Sequence, residues 1–235
     1  MAGARLGNKS GQMRTRLVPA IAIIAAALCA QPPSGPMQFT ATTANVAAAP
    51  ETVRFEILRW SSDSERDRLL AAWQLRTDSG ADKGGGKGGG KAAAKGKANG
   101  RGASPAEAAP AVTPEASLAK ALESAPTVGY VWSSETSGYA VRYAGRFPNA
   151  DGSQRVILVT QRRLGAMNQR WNPSSGTPNK YEFSVIELRL NAKGEGEGKA
   201  SLTGAVTADA AAKAVALDAY ASQPVVFRDV KPAKN

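Results

Sequence analysis

Several short stretches of the chain alternate apolar and polar residues, as strands do when they bury one face of a sheet. The clearest is residues 52–60, in which Val53, Phe55 and Ile57 share one face. The same pattern predicts further strands at 37–46, 128–132, 138–144, 155–160, 181–190, 199–206 and 224–230. We expect these strands to pair antiparallel in one curved sheet.

Two of the predicted strands depart from simple alternation. Residues 155–160 (RVILVT) contain a continuous apolar run, which predicts a central strand covered on both faces. In residues 181–190 the apolar face changes phase near Val185, which predicts a β-bulge at that point. The Asp151-Gly152 pair that precedes the first of these strands is typical of a hairpin turn.

Helical spacing replaces alternation in two places. Ser62 and Glu65 form a capping-box pattern, and the apolar residues that follow recur at helical intervals. Residues 113–126 begin a second helix, with Thr113 as its N-cap and Pro114 at its first position. The expected fold class is therefore α+β. We predict a mainly antiparallel, curved sheet or partial barrel with two short helices inserted after the second strand.

The segment between the two helices lacks bulky apolar residues. Residues 78–113 are rich in Gly, Ala and Lys, including Lys83, Lys87, Lys91 and Lys95. Such a segment cannot bury enough surface to offset the entropy of ordering it, so we predict a disordered insertion. The alternative is weak binding of a polyanion through the lysines. The segment has no aromatic residue to stack on bases, which argues against a nucleic-acid partner.

The N-terminal residues have the features of an export signal. Basic residues precede an uncharged apolar run over 17–28, which is shorter than a typical membrane span. We predict a signal peptide over residues 1–30, with the true start at Met1 or Met13, and export to the periplasm or beyond. A lipoprotein attached through Cys29 and an uncleaved N-terminal anchor are the alternatives.

The charge of the chain is concentrated in the leader and the insertion. The 235 residues include 30 Lys and Arg residues and 19 Asp and Glu residues, a net charge of +11 at pH 7. Residues 1–50 contain four basic residues and no acid, and residues 80–113 contain six basic residues and two acids. The rest of the chain is nearly balanced, so the high pI says little about a partner. We predict that residues 31–77 and 114–235 form one domain.

Two residue types that often carry chemistry are scarce. The sequence has no histidine, and its single cysteine, Cys29, lies in the leader. Catalysis by Ser-His-Asp or Cys-His groups is therefore excluded, and the commonest metal ligands are missing. We expect neither a cofactor nor a metal. A pair of carboxylates could still hydrolyse a glycan without histidine. The candidates are Glu56, Glu135, Asp151, Glu182 and Glu187.

Two C-terminal segments have ambiguous patterns. Residues 194–198 (GEGEG) do not have the spacing of a phosphate-binding loop, and we predict a hairpin turn between two strands. Residues 210–220 combine the helix preference of alanine with an alternation of Val215 and Leu217, so helix and strand both remain open.

The long connection at residues 161–180 contains three arginines and a tryptophan: Arg162, Arg163, Arg170 and Trp171. Arginine together with tryptophan is a common composition at interaction surfaces. We take these four residues as weak interaction candidates, with an ordinary long connection as the alternative interpretation. No catalytic residue is assigned.

Parts of the chain resemble a group of uncharacterised exported bacterial proteins. The similar segments, which cover most of residues 39–231, are RWSSDSERDRLLAAW, VGYV with GYAVRYA, RVILVTQR, VIELRLNAKGEGEGKAS and LDAYASQPVVFRDV. We associate no activity, cofactor or partner with the group, so the resemblance implies architecture only. It implies that residues 78–113 are an insertion and that residues 213–219 form a strand.

The leader and the missing catalytic residue types together predict an exported, non-catalytic binding domain of the bacterial cell envelope. The expected partner is an envelope component or a small ligand. We expect no nucleic-acid partner and no membrane span after signal cleavage. The pattern of residues identifies neither the ligand nor the oligomeric state.

Overall fold

The computed structural model describes residues 1, 3, 36–74, 113–134 and 136–233. The chain divides into two units, residues 1–33 and 34–235, and every element given below belongs to the second. The predicted signal peptide and most of the predicted insertion lie outside the described residues.

Ten strands and two helices make up the described part of the chain. The strands are β1 (Met37–Thr43), β2 (Thr52–Ile57), β3 (Gly129–Trp132), β4 (Gly138–Pro148), β5 (Gln154–Thr160), β6 (Ser184–Leu190), β7 (Gly196–Ala200), β8 (Val206–Asp209), β9 (Ala214–Leu217) and β10 (Phe227–Pro232). The helices α1 (Asp63–Gln74) and α2 (Pro114–Ser124) follow β2, as predicted. Short 3₁₀ turns lie at Gln169–Trp171 and Tyr220–Ser222.

Eight of the strands close into an antiparallel barrel. Their order is β1-β10-β7-β6-β5-β4-β3-β2, and β8 and β9 form a separate two-stranded sheet. The predicted α+β class and the mainly antiparallel sheet are confirmed. The sheet is a closed barrel and not a partial one, because β10 pairs with both β1 and β7 and so joins the two edges. Alternation within a strand shows which face is apolar, but it does not show which distant strand is its neighbour.

Side chains fill the interior of the barrel. Eight strands leave a space just wide enough for side chains to occupy. The rings of Phe55 and Phe227 meet edge to face, with their centroids 5.0 Å apart. Phe39, Tyr139 and Trp171 contribute further buried aromatic rings to the same cluster. The described residues therefore enclose a packed core at the barrel axis.

A second apolar cluster covers the outer face of β4, β5 and β6. It contains Leu69 from α1, Leu118 and Leu122 from α2, and apolar residues of β8 and β9. The prediction that residues 155–160 are covered on both faces is confirmed, because Ile157 packs in this outer cluster and Leu158 in the barrel.

The bulge predicted near Val185 is wrong. β6 pairs with β5 residue for residue, from Ser184 opposite Thr160 to Leu190 opposite Gln154. Val185 faces the outer cluster and Ile186 faces the barrel interior. The apolar residues change phase because both faces of β6 are covered, so a regular strand accommodates them.

Local signals define the helix ends as predicted. The backbone N–H of Ser62 donates to Glu65 Oε2 at 2.8 Å, and the backbone N–H of Glu65 donates to Ser62 Oγ at 3.3 Å, which confirms the capping box. Thr113 accepts from the N–H of Ala116 and caps α2. Arg59 adds a bidentate pair to Glu65, with N–O distances of 2.7 and 2.9 Å. Neither described helix combines the length and apolar character that crossing a bilayer requires.

The C-terminal strands differ from the predicted boundaries. Gly196 and Gly198 lie within β7 and not in a link. A Cβ at Gly196 would collide with the Arg189 carbonyl on β6, so this strand position requires glycine. The strand predicted at 199–206 is therefore split between the end of β7 and the start of β8. The strand expected within 213–219 is confirmed as β9.

The capping pair makes the stability of the protein depend on pH in a defined window. The hydrogen bond from Arg59 lowers the pKa of Glu65 from 4.5 to about 2. A lowered folded-state pKa stabilises the fold above the unfolded value, and that contribution is lost as pH falls from about 4.5 to about 2. We expect Glu65→Gln to lose about 1 kcal/mol at pH 7, a modest value because both partners are partly exposed.

Urea unfolding of the wild type and Glu65→Gln at several pH values measures this difference. It should be constant above about pH 4.5 and shrink towards pH 2. Glu123→Gln is the matched control, since Glu123 is exposed on α2 and makes no ion pair with any residue that the structure describes. A difference between wild type and Glu65→Gln that does not change with pH would contradict the assignment.

Candidate functional site

Charged side chains lie on a covered part of the barrel's outer face. Glu187 of β6 is 0% exposed and Lys199 of β7 is 5% exposed. The two residues are opposite each other across the β6–β7 pair. Charged side chains are almost never this buried unless they are paired. The hydrogen bonds around them therefore locate the most constrained polar group of the described chain.

Arg155 of β5 links two carboxylates. Its Nη2 donates to Glu187 Oε2 at 2.9 Å, and its Nε lies 2.9 Å from Glu187 Oε1. Its Nη1 donates to Oδ2 of Asp209, which lies at the end of β8. The outer β8–β9 sheet is thus attached to the barrel by an ion pair as well as by apolar packing.

Arg189 is the exposed member of the same group. Its Nε donates to Glu187 Oε1 at 3.1 Å, while 53% of its side chain is exposed. The guanidinium carbon lies 3.6 Å from the centre of the Tyr220 ring. Lys199 approaches the same ring at 4.5 Å and donates to the Tyr220 carbonyl at 2.9 Å. One ion pair and one aromatic ring therefore hold the Arg189 side chain in place.

The proton affinities of the group reflect this pairing. Burial disfavours the charge on Arg155, but hydrogen bonds to Asp209 and Glu187 outweigh it and raise the pKa of the guanidinium. Burial also opposes ionisation of Asp209, yet the hydrogen bond from Arg155 holds the pKa of that carboxyl below its usual value. Burial raises the pKa of the Tyr220 hydroxyl, so this residue stays neutral in its role as a stacking surface.

A cleft of about 590 Å³ opens beside Arg155 and Arg189. Its walls are the β4–β5 hairpin, the end of β6 and the turn between β8 and β9. The lining residues are Phe147, Asn149, Ser153, Gln154, Arg155, Arg189, Leu190, Asn191, Ala211 and Ala212. We call it the rim cleft, since it lies at the end of the barrel where β5 begins. The two arginines are the only charged residues among those that line it.

Several polar groups of the rim cleft have hydrogen-bonding capacity left over. Gln154 uses its Oε1 to accept from Arg146, and Asn191 uses its Oδ1 to accept from two backbone N–H groups. Within the described chain, the side-chain amide nitrogens of these two residues and the terminal nitrogens of Arg189 have no hydrogen-bond partner. The rim cleft thus presents mainly donors to a ligand.

Trp171 is buried in the barrel and is not available at the surface. It is 3% exposed, and its ring contacts Tyr139 and Phe227 inside the barrel at centroid distances of 6.3 and 5.8 Å. The 161–180 connection crosses the end of the barrel where β5 finishes and inserts this ring into the interior. Trp171 therefore acts as a core residue, and it is separated from the three arginines with which it was grouped.

The three arginines of the same connection do not converge. Arg162 is exposed, Arg163 donates to the Asn179 carbonyl at 2.8 Å, and Arg170 pairs with Glu51 at 2.6 Å. They lie at the opposite end of the barrel from the rim cleft, since β5 runs from Gln154 to Thr160. The hypothesis that these arginines contact a partner stays a prediction.

The carboxylates considered for glycan hydrolysis lie on separate elements. Glu56 accepts from the Trp132 indole at 2.9 Å on the outer face of β2, and Asp151 accepts from Ser153 in the β4–β5 turn. Glu182 is exposed before β6, Glu187 is enclosed by arginines, and Glu135 lies outside the described residues. No set of three metal-ligating side chains comes together in the parts of the chain that are described.

Sequence reasoning missed the arginine cluster, although one signal pointed to it. Glu187 and Arg189 share a strand face with Val185, which the apolar pattern expects to be buried. A charge on a buried face implies a partner, but Arg155, which pairs with Glu187, and Tyr220, which stacks on Arg189, come from elements that are distant along the chain.

Comparisons with known proteins give no further information about the site. No protein-family model matches the chain. No curated protein and no solved structure matches it either. The resemblance to exported bacterial proteins therefore stays a prediction, and the function has to be argued from the geometry alone.

The buried position of Trp171 predicts a large effect on stability. Trp171→Ala should lower the free energy of unfolding by about 3–5 kcal/mol, because it leaves a cavity in the barrel interior. Arg170→Ala, one residue away, should cost less than about 1 kcal/mol, because its pair with Glu51 is partly exposed. Chemical denaturation of both variants measures the contrast. Equal effects would show that the ring does not fill the barrel.

The buried carboxylate of Glu187 predicts a second large effect. Glu187→Gln leaves Arg155, Arg189 and Lys199 with reduced compensation, and we expect a loss of about 3–5 kcal/mol in unfolding free energy. Glu197→Gln on the neighbouring strand removes the same charge from an exposed residue and should change stability by less than about 0.5 kcal/mol. Thermal or urea unfolding of the two variants tests this, and similar losses would contradict the role given to Glu187.

Proposed function

We propose that this protein is an exported, non-catalytic binding domain of the bacterial cell envelope, and that its ligand binds in the rim cleft through an anionic, hydrogen-bond-accepting group. The observation that carries the proposal is the Arg189 side chain. Its Nε is fixed by buried Glu187 and its plane by Tyr220, its terminal nitrogens have no hydrogen-bond partner among the described residues, and the residue lines the cleft. A fixed guanidinium with free donors suits a carboxylate or phosphate group.

The composition of the cleft supports binding. Phe147 and Ala211 supply apolar surface, and the amides of Asn149, Gln154 and Asn191 supply hydrogen-bonding groups. A concave site with an apolar floor and a few convergent polar groups is the usual form of a small-ligand site. Its volume of about 590 Å³ falls in the range of such sites.

Two features support the non-catalytic part of the proposal. Glu187 and Asp209, the carboxylates behind the cleft, are both occupied by Arg155. None of the described residues that line the cleft is an acid, so a carboxylate pair for hydrolysis is not favoured there. Export is proposed from the predicted leader. Polyanion binding by the lysine-rich insertion remains a separate hypothesis that concerns residues outside those described.

Titration of the ¹⁵N-labelled full-length protein with three small probes tests the site. The probes are N-acetyl-glutamate, inorganic phosphate and the neutral analogue N-acetyl-glutamine amide, in which both carboxyl groups are amides. At millimolar concentration an anionic probe should give saturable shifts of the side-chain amide signals of Asn149, Gln154 and Asn191, whereas the neutral analogue should not. The difference between the two anions shows whether carboxylate or phosphate is preferred.

Two arginine variants give the control. Arg189→Gln should abolish the shifts because it removes the free donors, and Arg162→Gln should leave them unchanged because Arg162 is exposed at the other end of the barrel. Absence of saturable shifts with both anions rejects the proposal. Loss of binding in Arg162→Gln, with binding kept in Arg189→Gln, would assign the ligand to the 161–180 connection instead.

A further inference from the structure

A second cleft adjoins the rim cleft, and the two share Arg189 and Asn191. It has a volume of about 520 Å³. Its lining residues are Arg189, Asn191, Glu195, Gly196, Glu197, Arg228 and Asp229. Arg189 and Asn191 therefore lie at the boundary between the two clefts.

The two clefts have opposite electrostatic character. The rim cleft has two arginines and no acid among its lining residues, whereas the second cleft has three acids, Glu195, Glu197 and Asp229. The second cleft is also lined by Arg189 and Arg228, so its lining residues carry a net charge of −1, whereas those of the rim cleft carry +2. The side chains of the three acids make no ion pair with any described residue. This end of the groove is therefore negative.

A bulge in β10 produces the acidic end. The pairing of β10 with β7 shifts register between Phe227 and Val230. Asp229, within this shift, has φ of 52°, in the left-handed region that Asp adopts more readily than most residues. Bulges redirect side chains at the rims of barrels and beside binding sites. Here the bulge leaves both Arg228 and Asp229 exposed along the second cleft.

We infer that the two clefts form one bipolar groove for a short extended peptide, which carries a carboxylate at one end and an amine at the other. This inference rests on the proposed function of the rim cleft. The groove crosses β5, β6, β7 and β10, and three strand spacings correspond to about 14 Å. An extended peptide of four or five residues has this length. Among the described residues, Asn149 keeps its Oδ1 as an acceptor, and Gln154 and Asn191 keep their amide nitrogens as donors, so the groove offers both kinds of group that backbone amides require.

Three capped peptides test the inference with the full-length protein by calorimetry. They are acetyl-Glu-Ala-Ala-Lys-amide, acetyl-Glu-Ala-Ala-Ala-amide and acetyl-Ala-Ala-Ala-Ala-amide. The first should bind about fivefold more tightly than the second, because its ammonium gains exposed ion pairs in the second cleft. The uncharged peptide should bind most weakly.

The double variant Asp229→Asn with Glu197→Gln should remove the fivefold advantage and leave the affinity for the acidic peptide unchanged. Asparagine also tolerates positive φ, so the bulge is kept. The control variant Glu115→Gln with Glu123→Gln removes the same charge from α2, which lines neither cleft. It should keep the advantage.

The outcomes separate this inference from the proposed function. If the wild type binds the two glutamate peptides equally well, the bipolar groove is rejected while anion binding at the rim cleft stands. If neither glutamate peptide binds, the peptide groove is rejected, and the titration with N-acetyl-glutamate and phosphate decides whether anion binding at the rim cleft stands. If the α2 control also loses the advantage, the effect is one of net charge and the second cleft has no role.

Discussion

The closure of eight strands around a packed interior is the constraint on which the rest of the structure depends. A barrel of this size has room for side chains only, and the aromatic rings of Phe55, Trp171 and Phe227 occupy that room. A ligand therefore has to bind outside the barrel axis. Two openings lie where the strands end and where an outer layer meets the barrel wall.

The outer layer determines which part of the wall can become a site. Helices α1 and α2 and the β8–β9 sheet cover β4 to β6 with apolar contacts, and the cover ends near Glu187. At that boundary a buried carboxylate gathers Arg155 and Arg189, while Asp209 ties the outer layer to the barrel. The same ion pairs that join the two layers also orient the exposed guanidinium. Stability and the proposed ligand recognition therefore depend on one set of contacts, and we expect loss of Glu187 to affect both.

Much of the local structure follows from the sequence, because local chemistry decides it. The alternation in 52–60, the capping pattern of Ser62 with Glu65, and Thr113 before Pro114 each involve residues within a few positions of one another. Where a covering element is distant, the same reasoning failed. The phase change at Val185 indicated a bulge, because the pattern cannot reveal that helices and a small sheet bury the second face of β6.

The candidate site shows the same division between local and distant causes. We grouped Arg162, Arg163, Arg170 and Trp171 because they are close in sequence. In the structure the indole of Trp171 is buried in the barrel, whereas Arg163 and Arg170 bind different partners. By itself, the sequence determined the antiparallel strands, the two helices, the absence of histidine and the excess of positive charge in residues 1–50 and 80–113. Only the tertiary structure decided that β10 closes the barrel and that Arg155, Glu187, Arg189 and Tyr220 meet at one rim. The reason is physical: periodicity records which face of an element avoids water, whereas long-range pairing depends on which elements complete one another's burial and charge.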